Sequence, residues 1–176
     1  MKKIYRSEQE LYDYALGALG RRMRTVAELK RLLRTKVEAG ESGETLIERV
    51  VERLKQYKFL NDTQYAATYT RLRQDNNKHG MRRVRQDLMI RGVHADVIEK
   101  TLNAAYQDVP EDELARQFLQ RKHVAKPTSQ KETARIMRML ARAGYSTGAI
   151  YRALRALKVQ EEVLEDIPSD DAEVDS

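Results

Sequence analysis

The chain has no cysteine and no tryptophan, and only three prolines in 176 residues. Without thiols there are no disulfides, thiolate metal ligands or cysteine nucleophiles, and a reducing compartment is the expected setting. Long apolar runs are missing as well. None approaches the roughly 20 residues that span a bilayer, and the first ten residues, MKKIYRSEQE, carry no signal-peptide core, so the expected location is the cytoplasm. Phosphate-cradling glycine patterns are absent: none of the eight glycines falls into GxGxxG or GxxxxGK. His79, His94 and His123 never stand at the one-turn spacing that chelates a metal from one helix, and no nucleophile has a base beside it. Catalytic residues, cofactors and metals are therefore not expected, and an enzyme is the least supported class.

What the chain has is charge. Charged residues make up 34% and aromatics 6%, the balance of a surface-rich helical protein. The net charge of +6 hides an asymmetry, because residues 161–176 hold eight carboxylates and no base. The other 160 residues set 33 basic side chains against 19 acidic ones, an excess of +14. Such a body suits a polyanionic partner, although lysine and arginine also solubilise long helices. The acidic segment has too little apolar content to pack, so 158–176 reads as a disordered tail.

A repeat organises the body. At an offset of 52, Arg83, Val84, Leu88, Gly92, Val93, Ile98 and Leu102 fall on Arg135, Ile136, Leu140, Gly144, Tyr145, Ile150 and Leu154. Each copy is an apolar helical stripe, a glycine and a second stripe, which places Gly92 and Gly144 at left-handed helix ends. At an offset of 49, Ala115, Phe118 and Lys122 answer Ala66, Tyr69 and Arg73, and Ala15, Ala18 and Arg22 take the same relative positions. Capping boxes at Ser7/Glu10, Thr25/Glu28 and Ser129/Glu132, with caps at Asn61-Asp62 and Ser146, open further helices. The third helix is expected from about Thr45, after a loop from Gly40 to Gly43. The reading is all-α: three tandem three-helix repeats, 1–60, 61–107 and 108–157, forming an elongated, curved helical array.

Basic residues recur at corresponding junctions. Arg21, Arg22 and Arg24 cluster where the first helix turns into the second, followed by Lys30, Arg31 and Arg34, while Lys78, Arg82, Arg83 and Arg85 cluster at the middle junction. Arg73 and Lys122 occupy matching places on the fourth and seventh helices. On stacked units these would line up as a stripe that follows a nucleic-acid backbone without reading bases. One-turn ion pairs among Glu48, Arg49, Glu52 and Arg53 represent the plainer use of such charges. Tyr65, Tyr69 and Phe118 lie on buried stripes and read as core. A helix-turn-helix that reads bases is disfavoured by Asp96 and Glu99 on the helix after Gly92.

Several ordered stretches carry a resemblance: Arg21-Arg22-Met23-Arg24-Thr25 with Glu28-Leu29 and Leu32-Leu33, Phe59-Leu60-Asn61-Asp62 with Tyr65-Ala66, and Arg91-Gly92-Val93 after Gly80, Arg83-Val84 and Leu88. With Gly144-Tyr145-Ser146 and Ile150, they make residues 10–157 resemble the RecX family of bacterial recombination regulators. The resemblance implies a regulator that binds the RecA recombinase filament, dampens its ATPase, strand-exchange and co-protease activities and so acts on DNA repair and the SOS response. It also implies weak, sequence-independent affinity for single- and double-stranded DNA. No membrane partner is expected, and the free protein is read as a monomer. A nonspecific nucleic-acid-binding helical protein remains the alternative.

Overall fold

A computed structural model of the chain describes residues 3–157, and the expected disorder of 158–176 lies outside them. The described residues contain nine helices and no strand. Their order is α1 Glu8–Arg21, α2 Val26–Arg34, α3 Glu41–Gln56, α4 Asp62–Asn77, α5 Met81–Ile90, α6 Ala95–Tyr106, α7 Glu111–Arg121, α8 Gln130–Arg142 and α9 Thr147–Ala156.

Local chemistry explains most boundaries. Ser7 and Ser129 accept the N–H three residues on, and Thr25 forms a complete capping box with Glu28. Gly92 and Gly144 end α5 and α8 at φ 77° and 92°, the left-handed region expected for them. In both turns the next residue's N–H reaches back five residues, from Val93 to the Leu88 carbonyl and from Tyr145 to the Leu140 carbonyl. Those bonds satisfy carbonyls that the helix leaves without partners.

One boundary differs from the sequence reading. Helix α3 starts at Glu41, so Gly43 lies inside its first turn. A Cβ on Gly43 would sit 2.1 Å from the Glu38 carbonyl oxygen, and that close approach outweighs the low helical propensity of the glycine-containing stretch.

The described residues gather into two compact units, one of 3–71 with 85–105 and the other of 72–84 with 106–157. Helices α4 and α5 therefore each contribute to both. In the first unit α1, α2 and α3 pack on one another around Leu11, Leu29, Leu33, Ile47 and Leu54. In the second, α7 packs chiefly on α9, around Phe118, Leu140, Tyr145 and Leu154. Every apolar pair matched at the 52-residue offset is buried in both copies.

Each unit also contains a helix-end joint of one design. In the first, the Thr25 hydroxyl at the start of α2 donates to the Arg91 carbonyl at the end of α5, at 2.6 Å. In the second, the Gly80 N–H at the start of α5 donates to the Ala143 carbonyl at the end of α8, at 2.9 Å. In each joint a donor at one helix start, a cap hydroxyl in the first and a backbone N–H in the second, meets a carbonyl left over at another helix end.

Candidate nucleic-acid interface

The α1–α2 turn is short and cationic. Arg21 closes α1, Arg22 follows in extended backbone at φ −161°, and Arg24 precedes the Thr25 cap. Three guanidinium groups therefore stand where the last carbonyls of α1 carry partial negative charge, a placement that favours cations. Arg21 and Arg22 are exposed, and Arg24 is half-buried with its Nε enclosed and without a hydrogen-bond partner. None of the three is ion-paired among the described residues, which leaves their charge directed at solvent or a ligand.

A polar network holds this turn in place. The Glu28 carboxylate accepts from the Thr25 N–H at 3.4 Å and from Arg91 Nη1 at 2.7 Å. Arg91 lies over the Tyr69 ring, 4.9 Å from its centroid, and the Tyr69 hydroxyl donates to Asp87 at 3.0 Å. The Val26 N–H donates to Asp62 at 2.8 Å, and burial of Asp62 pushes its carboxyl pKa upward against that bond. The arginines thus project from a turn whose backbone is tied to α4 and α5.

Further along α2 the expected cluster divides. Lys30 pairs with Glu48 at 2.5 Å, and Arg34 makes a bidentate pair with Glu44 at 2.8 and 3.0 Å. The hydrogen bond from Arg34 holds the Glu44 carboxyl below its ordinary range. Arg31 remains exposed, with only a long 3.4 Å contact from Nε to the Ala27 carbonyl. Lys30 and Arg34 are matched across to α3, so Glu48 does not take the expected one-turn partner. Arg53 likewise turns to Glu8, at 3.8 Å, and lies over Tyr12 at 4.0 Å.

The middle cluster divides as well. Arg82 and Arg83 are exposed on the first turn of α5, where the Arg82 N–H donates to the Gly144 carbonyl at 3.3 Å. Lys78 sits in left-handed backbone at φ 54°, and its carbonyl accepts the Tyr145 hydroxyl. The Tyr106 hydroxyl donates to the adjacent His79 carbonyl at 2.8 Å, and burial raises the pKa of both phenols. Arg73 is half-buried and reaches Asn77 at 3.2 Å, while exposed Lys122 caps α7 with its Nζ 5.9 Å from the Phe118 ring. Arg85, in the first unit, is held bidentately by Glu99 at 2.8 Å.

Lys30, Arg34 and Arg85 are therefore committed to carboxylates, whereas Arg21, Arg22, Arg24, Arg31 and Arg82 are not ion-paired among the described residues. Exposed, outward guanidinium groups can fork onto phosphate or carboxylate oxygens. Tyr65 and Phe118 are core, as expected, and half-buried Tyr69 belongs to the Arg91 network. The sequence reading gave Arg91 and Phe59 only within the family resemblance and assigned neither a role; the partners of Arg91 lie 22 to 66 positions away, and Phe59 is exposed with Tyr57 just past α3. No three histidine or acidic side chains gather at a metal-binding spacing among the described residues. No helix among them is long and apolar enough to cross a membrane.

Comparison with known proteins adds three findings. Family models described as the second and third three-helix domains of RecX match residues 61–102 and 110–154. Proteins named Regulatory protein RecX from Bacillus thuringiensis (strain Al Hakam) and Bacillus cereus (strain B4264) are 31% identical over 161 residues, covering 88% of this chain. The chain spans 57% of the length of these relatives. A crystal structure of RecX from Lactobacillus salivarius superposes with a TM-score of 0.66 at 21% identity, covering 86% of this chain and 96% of that one. A second crystal structure, of a regulatory protein RecX, gives 0.69 at 21% identity over 85% and 71% of the two chains. At that identity the structures speak for the fold.

Proposed function

The chain belongs to the RecX family, and from that premise we propose that it is a regulatory protein that binds the RecA recombinase filament on DNA and lowers its ATPase, strand-exchange and co-protease activities. The repeat boundaries 1–60, 61–107 and 108–157 belong to the same proposal, as does action in the cytoplasm without chemistry of its own. The tethered α1–α2 turn supplies the carrying observation, because exposed Arg21 and Arg22 and half-buried Arg24 present positive charge that no described carboxylate neutralises. Arg82 at the start of α5 is a second contact of the same kind. A nucleoprotein filament offers phosphates and acidic side chains together, and fixed guanidinium groups bind both without selecting bases.

The decisive assay is ATP hydrolysis by RecA on single-stranded DNA, titrated with the purified protein. Inhibition at substoichiometric amounts, weakened when Arg21, Arg22 and Arg24 become alanine, is the expected result. Unchanged hydrolysis at every ratio refutes the proposal. Binding to free DNA with no effect on the recombinase would favour the alternative, a nonspecific nucleic-acid-binding helical protein.

A further inference from the structure

A groove in the second unit shares only Lys122 with the candidate interface. It runs between the end of α7, the 122–129 loop and α8, has a volume of about 390 Å³, and is floored by Val124, Pro127, Ile136 and Met139. Lys122, Lys126 and Arg135 stand at its rim, all exposed and none ion-paired among the described residues. Its one carboxylate, Glu132, accepts the Thr128 N–H at 2.8 Å and hydroxyl at 3.0 Å, and the backbone bond holds its pKa low. The groove therefore combines unspent positive charge with an apolar floor. A phosphate backbone would use the rim and gain nothing from Ile136 or Met139; a peptide with alternating acidic and apolar residues would use both.

Such a peptide is present in the chain. Glu161, Glu162, Glu165 and Asp166 alternate with Val163, Leu164 and Ile167, and residues 161–176 contain no base. The last described helix, α9, packs on α7 and α8 and ends at Ala156, so the segment leaves from the unit that carries the groove. At about 3.3–3.6 Å per extended residue, the four links from 157 to 161 span roughly 14 Å, more than the roughly 8–10 Å between the axes of packed helices, enough to pass from α9 to α8. We propose that residues 161–167 dock in this groove of their own chain, with carboxylates on Lys122, Lys126 and Arg135 and the apolar side chains on the floor. This covers the second unit's cations with the chain's own acidic segment until a stronger polyanion displaces it.

The proposal needs no recombinase or DNA, so its test is separate from that of the family reading. The full chain is mixed as equal parts of light and nitrogen-15-labelled protein, treated at low salt with a carbodiimide that joins touching amines and carboxylates, and mapped by mass spectrometry. Expected are amide links from Lys122 or Lys126 to Glu161, Glu162, Glu165 or Asp166, confined to chains of one isotope. Arg135→Glu should lower their yield about fivefold, equivalent to about 1 kcal/mol, with thermal unfolding unchanged. Links spread evenly over lysines of both units, links that mix isotopes and so identify a second copy as the occupant, or a yield indifferent to Arg135→Glu would each overturn it.

Discussion

Replacing Gly144 by alanine tests the helix-end joint of the second unit, because two separate costs meet at one methyl group. Gly144 holds φ 92°, where an L-residue costs roughly 1–2 kcal/mol more than glycine. The new Cβ would also lie 2.2 Å from the Arg83 nitrogen and 2.5 Å from its Cβ. Ordinary contact begins near 3.4 Å, so the start of α5 must retreat by about 1 Å. A retreat of that size takes the 2.9 Å bond from Gly80 to Ala143 and the 3.3 Å bond from Arg82 to Gly144 out of hydrogen-bond range. At about 1 kcal/mol for each bond, the expected loss is about 3–4 kcal/mol, a fall in Tm of roughly 10 °C for a chain of this size. Gly20→Ala is the control. Gly20 lies within α1 with nothing inside 4 Å, and alanine there should be neutral or stabilising by up to about 1 kcal/mol. Urea unfolding followed by far-ultraviolet circular dichroism measures both variants, and a loss below about 1 kcal/mol for Gly144→Ala would refute the close-joint argument.

Thr25→Ala removes a buried cap and leaves the Arg91 carbonyl without its donor, so about 2–3 kcal/mol of stability should disappear in the same unfolding assay, with Thr25→Ser retaining most of it. In DNA binding measured against salt, changing Arg21, Arg22 and Arg24 together to alanine should reduce the slope of log K on log salt by about 2 to 3, whereas Arg34→Ala and Arg85→Ala, both held by carboxylates, should leave it nearly unchanged. Glu44, Glu113 and Glu132 are held below their ordinary pKa of 4.5 by Arg34, Arg116 and Thr128, so their stabilising share is present above that value and lost as pH falls through the folded pKa. Asp62, raised by burial, runs the other way and gains as pH falls. Urea midpoints at pH 6 and pH 3 should therefore differ in favour of pH 6, and Glu132→Gln should narrow the gap.

Periodicity, caps and turn glycines were legible because each depends on residues within a turn or two of one another. Leu88 and Leu140 are both buried, Thr25 and Glu28 form the box their spacing implies, and Gly92 and Gly144 take left-handed backbone, all from short-range sterics and hydrogen bonding. The start of α3 was misplaced because glycine propensity, a local quantity, lost to the approach of Gly43 to Glu38.

Which cations are available was decided elsewhere. Lys30 meets Glu48, Arg34 meets Glu44 and Arg85 meets Glu99 across helix pairs, and no spacing rule along one helix anticipates such partners. The sequence by itself determined that the chain is helical, repetitive and basic. Only the tertiary structure separated exposed Arg21, Arg22 and Arg82 from neutralised Arg34 and Arg85, made Arg91 the support of the first turn and brought Lys126 and Arg135 to one groove with an apolar floor. Backbone preference acts over a few residues, whereas charge pairing and close approach depend on which surfaces the core brings together.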